Sequence, residues 1–236
     1  SDLKSQVKAT LENFETNKLG EDCLHPNSLL KKADKKGKLG LMKIPKSLEL
    51  FEMFLHHSAQ NIYKTGVLAC GFMTRNFTKQ LLEIAGEYFE EVEQSLSKKK
   101  ARLLILSKPK NVEKKKFLNT ISFENEEIKQ YFGVFSSNHI DYATQFLIEN
   151  FEPPEEVNSV LDLACGNGIL AKEVQKQFPE AEFHLVDDSQ LAIESAKLNI
   201  KGNKVQFYHN NNLEDIASNS MDYIVCNPPF HVEYEI

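Results

Sequence analysis

The chain has 236 residues, 41% of them hydrophobic and 26% charged, which suits a soluble globular protein of two domains better than one. Its net charge of -6 weighs against a protein that coats nucleic acid nonspecifically, and neither a membrane-length apolar run nor a signal peptide appears. Cys23, Cys70, Cys165 and Cys226 lack paired spacing, so they read as small apolar residues of a reducing, cytoplasmic setting, with no metal site.

In chain order, residues 1–17 carry Leu3, Val7, Leu11 and Phe14 at helical spacing, an amphipathic helix. A lysine-rich stretch follows, with Lys31, Lys32, Lys35, Lys36 and Lys38. Residues 39–45 (LGLMKIP) are an apolar run closed by proline, a buried-strand pattern, and Ser47 can cap a helix over LELFEMFLHHSAQ. Thr65 to Met73 is a second strand. Thr78 opens a long predicted helix, TKQLLEIAGEYFEEVEQSL, and Ala101 to Ser107 is a third strand. This alternation predicts parallel pairing, so the first half is itself α/β. No glycine-rich loop follows any of its strands, which argues against a cofactor site there. Lys98 to Lys100 and Lys114 to Lys116 add basic clusters, and KPKNVEKKK reads as an interdomain linker.

Beyond the linker, FLNTISFE and GVFSS lead to a helix, DYATQFLIENF, after which a βα rhythm restarts. Its strands are SVLDLACGNG, EFHLVDD, VQFYHNN and MDYIVCNPPF, four members of a second parallel sheet. The first ends in a glycine-rich turn, where Gly166 and Gly168 let the backbone pass close to a ligand ahead of helix amides. That loop alone also fits nicotinamide cofactors. Asp187 ends the next strand, 19 positions after Gly168, where an acid can accept both ribose hydroxyls of an adenosine. Asn210 to Asn212 end the third strand, where an amide can read an adenine edge.

The fourth strand ends in Asn227-Pro228-Pro229-Phe230. A base amino group is a poor nucleophile because its lone pair is delocalised into the ring. An asparagine oxygen and a carbonyl of the Pro-Pro turn can accept both amino hydrogens and steer the lone pair toward a sulfonium methyl carbon. The prolines stiffen the turn without leaving an N–H unused. Phe230 offers a stacking face worth about 1–3 kcal/mol per base. Loop and turn together, in this order, point to methylation of a planar nitrogen.

With GVFS, Asp141-x-x-Thr144, LDLACGNG, VDDS and CNPPFH, the chain resembles the bacterial rRNA guanine-N2 methyltransferases. The first half, with KIPKSLELFE and KKARLL, is closer to the large-subunit type. The resemblance covers essentially the whole chain. It implies two tandem Rossmann-like methyltransferase domains, a degenerate RNA-binding one over 1–115 and a class I catalytic one over 116–236. It further implies S-adenosyl-L-methionine as cofactor, held by Asp162, Ala164, Gly166, Gly168, Asp187, Asn211, Phe135 and Thr144. Asn227, Pro228, Pro229 and Phe230 are the implied catalytic residues. The implied partner is ribosomal RNA presenting an unpaired or flipped guanine to a monomer, with no membrane or metal.

Three departures from the family pattern stand out. Ala164 replaces glycine in D-x-G-C-G-x-G, at a cost of roughly 1–2 kcal/mol if the position needs positive φ; activity is expected to survive. Ala143 likewise stands where glycine is usual. Only four strands of the catalytic sheet are present, so the chain reads as a fragment whose fourth strand is an open edge. Adenine-N6 methylation, glutamine-amide methylation and a noncatalytic RNA-binding module are the alternative readings.

Overall fold

In the computed structural model, which describes residues 2–19, 28–31, 33, 35–135 and 139–228, the chain divides into two units. One is Asn27–Phe117; the other joins Ser1–Pro26 to Leu118–Ile236. The N-terminal helix, assigned by chain order to the domain over 1–115, therefore packs with the C-terminal half. This helix, α1 (Lys4–Thr16), buries no residue fully. What ties it down is the segment ahead of it: Leu3 bridges Ser189, the Lys4 N–H donates to Asp188 O, and Ser5 donates to the Asp188 carboxylate.

The unit Asn27–Phe117 holds β1 (Gly37–Lys43), α2 (Leu48–Asn61), β2 (Ile62–Met73), α3 (Lys79–Tyr88), β3 (Phe89–Gln94) and β4 (Ala101–Pro109). Ser47 caps α2 as read, its hydroxyl accepting from the Leu50 N–H. Phe51 and Leu55 of α2 and Leu81 and Ala85 of α3 pack on Leu68, Cys70, Leu104 and Leu106 of the sheet. Strand order is β1-β2-β4-β3, and only β1 and β2 pair in parallel; β2 with β4 and β4 with β3 are antiparallel.

The expected all-parallel pattern is thus corrected, and the cause lies at the end of α3. The long helix read from Thr78 stops at Tyr88, and FEEVEQ continues as a strand. Phe89 is buried there against the core, and tertiary pairing outweighs the helix preference of the glutamates. Lys98 and Ala101 exchange both backbone hydrogen bonds around Lys99 and Lys100, whose φ values are +49° and +63°. Positive φ at both central residues marks a hairpin turn whose twist suits the flanking strands.

The other unit contains the hairpin β5 (Leu118–Phe123) and β6 (Glu126–Tyr131), then α4 (Tyr142–Glu149), β7 (Ser159–Leu163) and α5 (Ile169–Gln177). After these come β8 (Glu182–Asp187), α6 (Gln190–Asn199), β9 (Val205–His209) and β10 (Tyr223–Cys226). The sheet order is β10-β7-β8-β9, parallel throughout, as the βα rhythm predicts. From β7 the chain runs to β8 and β9 on one side and then returns to β10 on the other. The carboxyl ends of β7 and β10 therefore flank a topological switch point, where open α/β sheets bind ligands.

Val160, Phe183, Leu185, Leu170, Val174, Ile193 and Ala196 form the core that fixes these strand ends. Gly168 precedes α5 with φ +79°, and a Cβ there would lie 3.0 Å from Ala196 Cβ. Glycine at this position permits the close approach of α5 and α6. No described helix is long and apolar enough to cross a membrane.

Candidate active site

A cavity of about 410 Å³ opens at the switch point. Phe135, Thr144, Ala164, Gly166, Asp187 and Asn227 line it, so six of the sequence-derived site residues meet in one place. Four others that the structure describes, Asp162, Gly168, Asn211 and Pro228, lie outside the lining. Asp162 is buried beneath the loop, 1% exposed; Gly168 faces α6; Asn211 is exposed and outside the cavity. The asparagines after β9 bond within their own loop: the Asn210 amide donates to Asp215, and Asn212 accepts from the Glu214 N–H. Pro228 is exposed, and Pro229 and Phe230 lie outside the described residues.

The loop after β7 is pinned from three directions. The Cys165 N–H donates to Val186 O, the Asn167 side chain donates to Gln130 Oε1 at 2.7 Å, and the Asn199 side chain donates to Asn167 O at 2.8 Å. Asn199 and Ser195 also bond the Lys129 and Tyr131 backbone, which ties the β5–β6 hairpin to the loop. Burial pushes the Cys165 thiol well above its ordinary value, so it is a small apolar wall and not a nucleophile.

Ala164 has φ +57°, the left-handed region in which its Cβ is strained. Ala164→Gly is therefore expected to stabilise the protein by about 0.5–1 kcal/mol, after allowing for the larger entropy of the unfolded glycine chain. Urea unfolding measures this directly. An unchanged or lower midpoint would mean that the loop bears no strain at this residue.

The Asp187 carboxylate accepts from the Gly166 N–H at 2.9 Å through one oxygen and from the Ser189 N–H at 2.8 Å through the other. Burial raises its pKa, opposed by those two bonds. Each oxygen has one lone pair beyond these bonds, and the residue lines the cavity, as a diol acceptor requires. Asp162 bonds the Ala171 N–H through Oδ2, and its Oδ1 has no partner. Its carboxyl is pushed up to about 7, first by burial and then by the negative Asp187.

Across the cavity, Asn227 follows β10, and its amide nitrogen donates to Asp141 Oδ2 at 3.2 Å and to Thr144 Oγ1 at 2.8 Å. Asp141 is the N-cap of α4, its Oδ2 also accepting from the Ala143 and Thr144 N–H groups. With its nitrogen spoken for, Asn227 has its oxygen left for a ligand's donors.

Sequence reasoning missed several cavity residues. Asp188 and Ser189 adjoin Asp187 and were within reach of the same strand-end argument. Leu3, brought in from the other end of the chain, carried no signal.

Residues 125–236 match the family model of the Methyltransferase small domain, and residues 1–111 match that of the RLMG N-terminal domain. A Ribosomal RNA large subunit methyltransferase G from Psychromonas ingrahamii is 34% identical over 250 residues, covering 100% of this chain and 64% of that protein. Its counterpart from Shewanella woodyi is 30% identical, covering 98% of this chain and 58% of that protein. The chain thus spans less than two thirds of the length of these relatives. Among solved structures, the T. thermophilus 16S rRNA methyltransferase RsmC, in complex with AdoMet and guanosine, shares the fold with a TM-score of 0.72 at 21% identity. That match covers 87% of this chain and 59% of the other.

Proposed function

We propose, for a chain that belongs to the family of the large-subunit ribosomal RNA methyltransferase G, methyl transfer from S-adenosyl-L-methionine to the exocyclic N2 of a guanine in ribosomal RNA. One observation carries the reading: the Asn227 amide at the end of β10, held by its nitrogen, faces the same cavity as the glycine-rich loop after β7.

The residues present fit that cofactor. A side chain at Gly166, whose φ is +53°, would meet nothing within 4 Å, so the loop backbone is open to a ligand. Asp141, Asp187 and Asp188 line the cavity and give it a negative field, complementary to a cationic sulfonium. Asp187 would hold the ribose hydroxyls, and Ala164 and Gly166 would lie against the rest of the molecule. When bound, S-adenosylmethionine supplies an electrophilic methyl group. The chain's contribution is orientation: Asn227 Oδ1 accepts an amino hydrogen of the base and draws the nitrogen lone pair out of conjugation with the ring. Phe135, half exposed on the cavity wall, offers a face to the planar base. No strong base is needed, because the proton becomes acidic once the nitrogen is alkylated.

The unit Asn27–Phe117 would bind the RNA, with Lys98–Lys100 and Lys114–Lys116 toward phosphates. All six lysines are exposed, although Lys115 pairs with Glu52.

The test is methyl incorporation from labelled cofactor into unmethylated ribosomal RNA, followed by nucleoside analysis. N2-methylguanosine is the expected product. Methyladenosine or methylated protein would overturn the substrate, and absence of S-adenosylhomocysteine binding by calorimetry would favour a noncatalytic module.

A further inference from the structure

We propose that Asp141 and Thr144 are positioning residues that dictate which end of the Asn227 amide faces the cavity, a role that rests on the reaction proposed above. The two ends of an asparagine amide have nearly the same shape and opposite chemistry. If the nitrogen faced the cavity, a base amino group would meet N–H donors and gain no acceptor. The orientation must therefore be fixed by partners that tell oxygen from nitrogen.

Asp141 supplies that discrimination, because an ionised carboxylate accepts and never donates. The Asn227 nitrogen has two hydrogens, and both are used, on Asp141 Oδ2 at 3.2 Å and Thr144 Oγ1 at 2.8 Å. Reversing the amide would set Asn227 Oδ1 against the Asp141 carboxylate and lose that bond, whereas the Thr144 hydroxyl, donor as well as acceptor, holds whichever end Asp141 selects.

The acceptors are themselves fixed. Asp141 Oδ2 takes the Ala143 and Thr144 N–H groups at the start of α4, and Thr144 is 7% exposed. The D-x-x-T spacing alone would be an ordinary helix cap. What exceeds a cap is that the capping oxygen reaches a residue 86 positions away, at the end of β10. Thr144, read from the sequence as a cofactor contact, thereby acts through Asn227.

Two measurements on the full-length protein test the clamp. In the ligand-free protein, the Asn227 side-chain NH2 should show slowed hydrogen exchange by NMR, and Thr144→Val should abolish that protection while Thr144→Ser retains it. An unprotected NH2 in the wild type overturns the clamp whether or not the protein methylates RNA. In turnover assays, Thr144→Val should lower kcat by about 10- to 100-fold with cofactor affinity unchanged. Thr144→Ser should restore the rate. In an Asn227→Ala background, Thr144→Val should have no further effect, since the two act as one unit.

Additive losses, or weakened S-adenosylhomocysteine binding in Thr144→Val, would return Thr144 to a cofactor or structural role. A wild type that shows the protected NH2 but transfers no methyl to ribosomal RNA would instead sink the proposed reaction and leave the clamp standing.

Discussion

Asn227→Ala is expected to lower kcat for methyl transfer by about 10³-fold while S-adenosylhomocysteine binds as tightly as to the wild type. The size follows from what the residue does. A base amino group has to be turned so that its lone pair leaves conjugation and points at the methyl carbon. Removing one preorganised hydrogen-bonding group from a reacting centre typically costs about 10²–10³ in rate. Here the acceptor is lost and the amino group is also free to rotate back into conjugation, which places the effect at the upper end.

Folding should survive. The truncation leaves Asp141 Oδ2 with its two backbone donors, and Asp141 is only half-buried, so water can replace the missing amide. Single-turnover rates with labelled cofactor, together with calorimetry on S-adenosylhomocysteine, separate the two effects. Asn227→Asp sharpens the comparison, because it keeps an acceptor oxygen but sets a second carboxylate against Asp141. Near-wild-type turnover in Asn227→Ala would remove Asn227 from the chemistry, and parallel losses of rate and cofactor affinity would recast it as part of the binding wall.

The strand ends on which this argument rests were legible in the sequence because each combines an apolar run with a residue type that a strand interior rejects. LDLACGNG, HLVDD and IVCNPPF each end in glycine, acid or proline at the point where a parallel sheet opens. Where the signal was local and chemical, the reading placed Asp187 and Asn227 on one cavity. Where structure depends on pairing across long separations, it went astray. The β3–β4 hairpin turns on Lys99 and Lys100, and the β5–β6 hairpin on Glu124 and Asn125, all at positive φ. Only Asn125 among them is a residue that advertises such a turn. FEEVEQ looked helical because glutamate favours helices, and its partner strand lay beyond the turn. Asn211 lies outside the cavity for a different reason. Being at a strand end puts a residue near the ligand edge of the sheet, but loop bonds around Asn210, Asn212 and Asp215 decide where its side chain goes. Leu3 could not be found at all, since a backbone bridge to Ser189 brings it to the cavity.

Asp162→Asn is expected to flatten the dependence of stability on pH between about 4 and 7 and to stabilise the ligand-free protein above that range. The wild-type carboxyl is fully enclosed, with Oδ1 unpartnered and a single bond from the Ala171 N–H on Oδ2. Burial, reinforced by Asp187, raises its pKa from 3.8 to about 7 in the folded protein. The folded state therefore holds a proton that the unfolded state has already released. Stability then falls as pH rises through that window, because the unfolded chain binds fewer protons. A displacement of this size corresponds to about 4 kcal/mol once ionisation is complete. Asparagine keeps the acceptor for Ala171 and carries no charge, but it buries an amide nitrogen without a partner, at about 1–3 kcal/mol. The net gain above pH 7 is thus about 1–3 kcal/mol, and below pH 4 the variant should be the less stable of the two. All other titrating groups are shared, so the difference between the two denaturation curves, measured across pH, isolates this carboxyl. Parallel curves would show that Asp162 ionises normally when folded. A difference that changes sign between pH 4 and 7, with the variant the more stable above, would show that the loop after β7 is strained by a buried charge as well as by the backbone at Ala164.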